Sequence, residues 1–273
     1  HDVLKKHNST VVETFTGDEC LSGVSPIQGT ELCAVVEQMY SYELLYSYTG
    51  DAKWADRLEV LAFNALPAAI SEDMWTHQYV QMNNQIACQK FPGKSLFRTN
   101  NSEAHLFGLE PHFGCCSANF NQGWPKLALS AFMYTDESVA SVLPIPSQLK
   151  TEDISITVAT NYPFENTIKY TVDANKDFKF EIRLPKDAEN IVVNGQSEIQ
   201  NHLVFNITKG EKREFVISFG FTPHFEKYAY ALNYVKYGNL VFSLPIEVEK
   251  IMHEYEKDGV ERKFPYCDYE YVP

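Results

Sequence analysis

The sequence predicts an α+β fold in which a helical first half is followed by an antiparallel β-sandwich, and three observations carry that expectation. Apolar residues recur at helical spacing between Thr30 and Ala69 and again after Gly114. From about Asp136 the pattern changes to alternation with period two, in short runs separated by turn residues. Between the helical stretches, residues 72–114 form a long polar and aromatic segment without clear periodicity. A segment of that kind is usually functional or disordered, and its aromatic content argues against disorder.

The first predicted helix runs from Thr30 through Glu31-Leu32-Cys33-Ala34-Val35-Val36 to Tyr48, with Val36, Tyr40 and Leu44 one turn apart. Thr49-Gly50-Asp51 supplies a glycine stop and an acidic cap for the next helix. The second helix places Leu58, Leu61, Ala62, Ala65, Leu66 and Ala69 on one face, completing a helical hairpin. A third helix is expected from about Ser117 to Tyr134, with Pro125 as a kink or restart. Strands are expected at Ser155–Thr160, Ile168–Val172, Phe178–Leu184, Ile191–Val193, Leu203–Ile207, Phe215–Phe219 and Leu240–Leu244, punctuated by Asn194-Gly195 and Lys209-Gly210. The change of pattern falls near residues 136–150, where Leu143-Pro144-Ile145-Pro146 opens the all-β part.

With 273 residues, 44% of them hydrophobic, the chain can bury more than one core, so two domains are expected. No apolar run is long enough for a membrane helix, and no signal-peptide pattern opens the chain. It starts His1-Asp2-Val3-Leu4 without an initiator Met, which points to a processed or partial polypeptide. A formal charge of −13 with no clustered basic face excludes nucleic acid and anionic membranes as partners and favours a neutral or small ligand. Six cysteines, at 20, 33, 88, 115, 116 and 267, are too sparse for a disulfide framework in a chain of this length. The adjacent Cys115 and Cys116 are poorly placed to pair with each other, while Cys88 and Cys267 read as plain buried thiols.

The chemistry-bearing pattern is Glu31-Leu32-Cys33 at one helix start and Gly114-Cys115-Cys116 at another. Two helix N-termini meeting at one cation would supply one carboxylate and three thiolates, a plausible tetrahedral zinc set. The spacing is not that of a zinc finger. A buried carboxylate with unconnected core cysteines is the alternative on these residues alone.

Three segments in register go further: Gly17-Asp18-Glu19-Cys20-Leu21-Ser22-Gly23, Gln28-Gly29-Thr30-Glu31-Leu32-Cys33-Ala34-Val35-Val36-Glu37, and Gly114-Cys115-Cys116-Ser117-Ala118-Asn119. Together they resemble glycoside hydrolase family 127, the β-L-arabinofuranosidase-like enzymes, and the resemblance covers nearly the whole chain. It implies that residues 1–140 are the C-terminal portion of a helical (α/α)6 catalytic barrel and that 141–273 form a β-sandwich domain. It also implies a retaining glycosidase that uses a zinc-bound cysteine as nucleophile. Matching Cys-Cys-x-x-Asn puts that nucleophile at Cys115, with Glu31, Cys33 and Cys116 as the other zinc ligands. Zinc and a helix N-terminus would both favour the thiolate. A carboxyl group must then protonate the leaving oxygen and later deprotonate water.

For that role the sequence offers Glu13, Asp18 and Glu19. Glu19, in Gly-Asp-Glu, is preferred; Glu13, followed by Thr14-Phe15, matches the spacing of the arabinofuranosidase subgroup. Tyr79 stands where a substrate-contacting Tyr is found in the family, and His77 is a second candidate substrate contact. His105 and His112 are better read as structural, as is Trp124; Trp75 could stack on a sugar. Glu37 is expected to support the Glu31 helix or to be satisfied in the core.

The implied substrate is a terminal β-L-arabinofuranosyl or related furanosyl unit on a plant glycan or oligosaccharide, and the implied cofactor is Zn2+. Family members carry a preceding half-barrel, so either that segment or a homo-oligomer is the expected partner of the helical faces. A bacterial cytoplasm or periplasm is the expected compartment. Two other functions fit the same residues: a non-catalytic zinc-stabilised carbohydrate-binding or assembly module, and a zinc-dependent redox sensor.

Overall fold

The structure, a computed structural model, describes residues 1–17, 19–91, 97, 100–108, 114–255 and 266–273. Asp18 and His112 lie outside the described residues.

After helix α1 (Asp2–Asn8) comes a loop, then strand β1 (Thr30–Glu31), which leads directly into α2 (Leu32–Thr49). Gly50 ends α2 in the left-handed conformation, φ 64°, and its N–H donates to Tyr46 O at 2.8 Å. Asp51 then caps α3 (Ala52–Val60), accepting from the Lys53 N–H at 3.0 Å. The second helix continues through a π-helical turn at Leu61–Ala65 into α4 (Leu66–Ala68). That turn is invisible to a 3.6-residue periodicity, yet the expected face from Leu58 to Ala69 is fully buried.

The first helix departs from its expected face. Leu32, Val35, Val36, Met39 and Tyr42 are buried, whereas Tyr40, Leu44 and Tyr48 ride on an exposed flank. Glu37 is also exposed, so it is not satisfied in the core. The buried carboxylate of α2 is Glu43, which accepts from Ser130 Oγ at 2.7 Å.

The long aromatic segment holds short strands β2 (His77–Gln78), β3 (Val80–Gln81) and β4 (Phe107–Gly108). Helix α5 (Gly114–Leu129) follows, running through Pro125 and packing on α2. It ends five residues earlier than expected, because Phe132–Tyr134 is a strand, β5, paired antiparallel to β6 (Ser138–Ser141). Helical spacing had extended through it, but pairing with a later segment decides its conformation.

Strands β7 (Ser147–Lys150), β8 (Ile154–Thr160), β9 (Thr167–Ala174), β10 (Phe178–Arg183), β11 (Glu189–Val193), β12 (Gln196–Ser197), β13 (His202–Ile207) and β14 (Lys212–Gly220) complete two sheets. Their orders are β12-β11-β14-β9-β8-β7 and β13-β10-β6-β5. Every pair is antiparallel except β6–β10, which is parallel and departs from the all-antiparallel expectation. Alternation is clean: in β9, Ile168, Tyr170 and Val172 are buried and the residues between them are not. Those side chains share one buried cluster with Phe180 and Ile182 of β10 and Phe215 and Ile217 of β14.

Strands β15 (His224–Lys227), β16 (Asn233–Tyr237) and β17 (Leu240–Phe242) form a small antiparallel sheet. The chain then returns to the helical part. Strand β18 (Glu249–Tyr255) pairs with β19 (Tyr266–Val272), β19 with β4, and β4 with β2. The long segment is therefore anchored by the C-terminal hairpin. A buried charge network ties the halves together: Arg183 of β10 contacts both Asp56 and Glu59 of α3.

Candidate metal centre

Cys33 lies in the first turn of α2, and Cys115 and Cys116 in the first turn of α5. Packing of α2 on α5 brings the two helix starts together. The three sulfur atoms lie within 4.8 Å of one another, with Cys33 Sγ and Cys116 Sγ 3.7 Å apart. Cys116 is wholly buried and Cys115 is exposed. Helix N-termini carry partial positive charge, which favours thiolates there.

Glu31 ends β1 and immediately precedes α2. Its strand is held by pairing with β3, Glu31 opposite Val80. Gly29 makes that approach feasible, because a Cβ there would collide with Val80 Cγ1. The Glu31 carboxyl hydrogen-bonds Cys33 and stands beside the thiol group rather than within its 4.8 Å circle. Burial, then the bond and charge of Cys33, then Glu19, push Glu31 up to about 7; the Tyr79 hydroxyl works the other way.

Charge in the cluster is concentrated on one sulfur. The hydrogen bond from Cys116 leads the effects that push Cys33 down to about 5, against burial, with help from Asn119, Glu31 and Cys115. Cys116 is driven upward by donating to Cys33 and then by burial, and Cys115 by partial burial and then by Cys33. Three thiols this close cannot all ionise without a counter-charge. A divalent cation would supply it.

The donor set fits zinc. Zn–S bonds of about 2.3 Å at tetrahedral angles put sulfurs about 3.8 Å apart, and the Cys33–Cys116 separation is 3.7 Å. Three thiols with an adjacent carboxyl are also the soft, borderline donors that zinc takes.

Asn119 is a contributor whose role the sequence left unassigned. Its side chain bonds Cys33, and Gln122 Nε2 donates to Asn119 Oδ1 at 3.1 Å, which orients the amide. One helical turn from Cys115 to Asn119 is the signal that could have found it.

Tyr79 is buried between β2 and β3. Its hydroxyl donates to Glu19 Oε1 at 3.5 Å and also bonds Glu31, so it joins the two carboxyls. Burial, followed by Glu31 and Glu19, raises the phenol well above its ordinary range. Glu13 is elsewhere: it takes Lys5 Nζ at 2.7 Å and lies 3.8 Å from Arg57 Nε. Glu19 is thus the carboxylate of the pair drawn toward Tyr79 and Glu31. Both Glu13 and Glu19 have positive φ, 63° and 75°.

His77 is buried in β2 opposite Gly108 and is not a member of the thiol group. His105 is fully buried, its Nε2 bonded to Gln89 O at 2.8 Å and its ring against Phe91 and Phe97. Trp124 packs against the helical core, and Trp75 is half-buried. Cys88 and Cys267 are buried, as expected of plain thiols.

Fold and site define a strand-rich α+β chain with several sheets and a thiol-rich centre at two helix starts. The family model for the catalytic domain of glycoside hydrolase family 127, β-L-arabinofuranosidase, matches residues 6–129, and that for the middle domain of the same family matches residues 138–212. The chain belongs to glycoside hydrolase family 127.

Solved structures agree on the fold. A family 127 β-L-arabinofuranosidase from Geobacillus stearothermophilus T6 is 14% identical with a TM-score of 0.65, covering 99% of this chain and 52% of its own. A family 127 β-arabinofuranosidase is 17% identical with a TM-score of 0.64, covering 99% and 52%. A third structure, a glycoside hydrolase, is 16% identical with a TM-score of 0.66, covering 99% and 56%. The chain therefore spans about half the length of the solved structures it matches. No curated protein matches the sequence. Among the described residues no helix is long and apolar enough to cross a membrane.

Proposed function

We propose that this polypeptide carries the reacting centre of a retaining glycoside hydrolase that releases a terminal β-L-arabinofuranosyl, or related furanosyl, unit from plant glycans. The observation that carries this reading is the gathering of Cys33, Cys115 and Cys116 at two helix N-termini with Glu31 beside them. Glu31, Cys33, Cys115 and Cys116 would hold a zinc ion, which when bound favours thiolates at neutral pH.

Cys115 is the exposed member of the adjacent pair, as a nucleophile must be, while buried Cys116 suits a ligand role. In the first step the Cys115 sulfur attacks the anomeric carbon; a C–S bond forms as the glycosidic C–O bond breaks, and Glu19 gives its proton to the leaving oxygen. In the second step Glu19, now a carboxylate, takes a proton from water as that water displaces the sulfur. Tyr79, hydrogen-bonded to Glu19 and Glu31, holds the proton-transfer group beside the thiol cluster. His77 is retained as a candidate sugar contact.

The domain division at 1–140 and 141–273 is part of the proposal, the first being a portion of an (α/α)6 barrel and the second a β-sandwich. Tyr40, Leu44 and Tyr48 of α2 and Leu129 of α5 leave apolar helical surface exposed, Tyr48 and Leu129 each at 83%. A further helical segment covering that surface would complete the barrel. The compartment proposed is bacterial, cytoplasm or periplasm.

Incubation of the protein with a β-L-arabinofuranoside tests the reading. Hydrolysis with retention is expected, together with a pentose-sized mass addition on the peptide containing Cys115 in quenched samples. Unchanged hydrolysis by Cys115→Ser would refute it. A four-ligand site is ordinarily closed and structural, which favours a non-catalytic zinc-stabilised glycan-binding module as the second reading. Glycan binding without turnover or adduct would decide for that module.

A further inference from the structure

The β-rich half of the chain reaches back to the loop that carries Glu19. Tyr228 follows β15, half-buried, and its hydroxyl donates to two main-chain oxygens, Ser9 O at 2.9 Å and Val24 O at 2.7 Å. With a single hydrogen to give, that O–H is shared between the two ends of the loop from Ser9 to Val24. Near the same neck, Gly23 N–H donates to Asn8 Oδ1 at 3.1 Å and Thr16 Oγ to Gly23 O at 2.6 Å. Beyond it, Gly17 N–H donates to Gly29 O at 2.8 Å and Glu31 N–H to Gly17 O at 3.0 Å. These bonds tie the loop to the strand that ends in Glu31.

At the far side of the loop Glu19 has φ 75°. A residue with a side chain keeps that conformation only where its surroundings over-determine it. Closing the loop at its neck supplies such a constraint, and Tyr228 is the part of it contributed from more than two hundred residues along the chain.

We propose that Tyr228 is a positioning residue for Glu19: its hydroxyl closes the loop neck and so holds the Glu19 carboxyl beside Tyr79. The proposal rests on the assignment of Glu19 as proton donor. A proton donor must sit within hydrogen-bond reach of the leaving oxygen, so loosening its loop lowers the rate of protonation more than it alters sugar binding.

Tyr228→Phe keeps the ring and removes only the hydroxyl. Two measurements read its effect. Amide exchange of Gly17 and Gly23 is expected to quicken about tenfold, the loss of one modest hydrogen bond shared between two acceptors. Wild-type exchange rates in the variant overturn the proposal whatever the substrate. For turnover, kcat/KM for methyl β-L-arabinofuranoside, whose leaving group needs protonation, is expected to fall about tenfold. That for the 4-nitrophenyl glycoside, whose leaving group does not, is expected to fall less than twofold. Equal loss on both glycosides, or loss of neither, overturns the positioning role and leaves Tyr228 a structural residue. Glu19→Gln separates the two claims. If it lacks the same leaving-group dependence, the donor assignment fails, and the positioning role with it, even where the amide exchange of Tyr228→Phe has quickened.

Discussion

Replacing Arg183 with Met should unseat the joint between the helical and β-rich halves. The Arg183 side chain is 3% exposed, and its guanidinium contacts Glu59, which is 0% exposed, and Asp56, at 13%. The second Glu59 oxygen accepts from the Tyr162 hydroxyl at 2.8 Å and from Asn239 at 2.7 Å, so one carboxylate gathers groups from three separate segments. Arg183→Met fills much of the same volume but strands both carboxylates. Breaking a buried pair from one side costs roughly 3–5 kcal/mol, mostly the penalty of the charge left behind. Unfolding entropy near 2.1 cal/mol/K per residue, over a chain of 273 residues, makes about 0.6 kcal/mol per degree, so about 4 kcal/mol lowers Tm by about 7 °C. Scanning calorimetry of wild type and variant at fixed pH and metal measures it. Adding Glu59→Gln should restore part of the loss, because one of the two uncompensated charges disappears. A fall below about 1 kcal/mol, or no recovery in the double variant, would refute the view that this network holds the halves in register.

Zinc content follows from the thiol group: the protein as isolated should hold one zinc per chain by elemental analysis, and Cys33→Ser should lose it along with thermal stability. A metal-free wild type as stable as the loaded form would contradict this. In metal-free protein, Cys33 is pushed down to about 5 and Glu31 up to about 7. Thiolate absorbance should therefore correspond to one sulfur at neutral pH and vanish as pH falls through about 5. The signs of the linked stability differ. The depressed Cys33 contributes stability that is present at high pH and lost as pH falls through about 5. The raised Glu31 contributes stability that is full below about 4.5 and lost as pH rises through about 7. Tyr79→Phe removes the hydroxyl joining Glu19 and Glu31. It should lower kcat about 10- to 100-fold with a smaller change in KM, measured by steady-state hydrolysis. Gly29→Ala drives a methyl into Val80 and should cost about 1–3 kcal/mol in thermal unfolding while weakening zinc retention.

Much of the local structure is legible in the sequence itself. The Gly50 stop, the Asp51 cap, the Leu58–Ala69 face and the alternation of β8, β9, β10 and β14 all depend on interactions within a few residues, which periodicity and cap chemistry report directly. Phe132–Tyr134 has helical spacing but is a strand, because its partner, β6, lies beyond a turn that periodicity does not weigh. The parallel pairing of β6 with β10 and the return of β19 to β4 are likewise long-range choices. Val36, Tyr40 and Leu44 stand one turn apart, yet only Val36 is buried, because spacing alone cannot say which of two adjacent apolar flanks is covered.

At the site, the residue types and their positions at two helix starts were enough to nominate Glu31, Cys33, Cys115 and Cys116, since thiols and a carboxyl are intrinsic to the side chains. Only the tertiary structure could bring the sulfurs of α2 and α5 within reach of one another, and it left Glu31 beside Cys33 rather than inside the thiol circle. It also drew Glu19 toward Tyr79 while committing Glu13 to Lys5 and Arg57. The sequence by itself determined which donors are available and how each local element starts and stops. Which donors meet, which carboxyl accompanies them and which thiol stays exposed were decided by packing between segments far apart in the chain, where small differences in burial and hydrogen bonding select one partner over another.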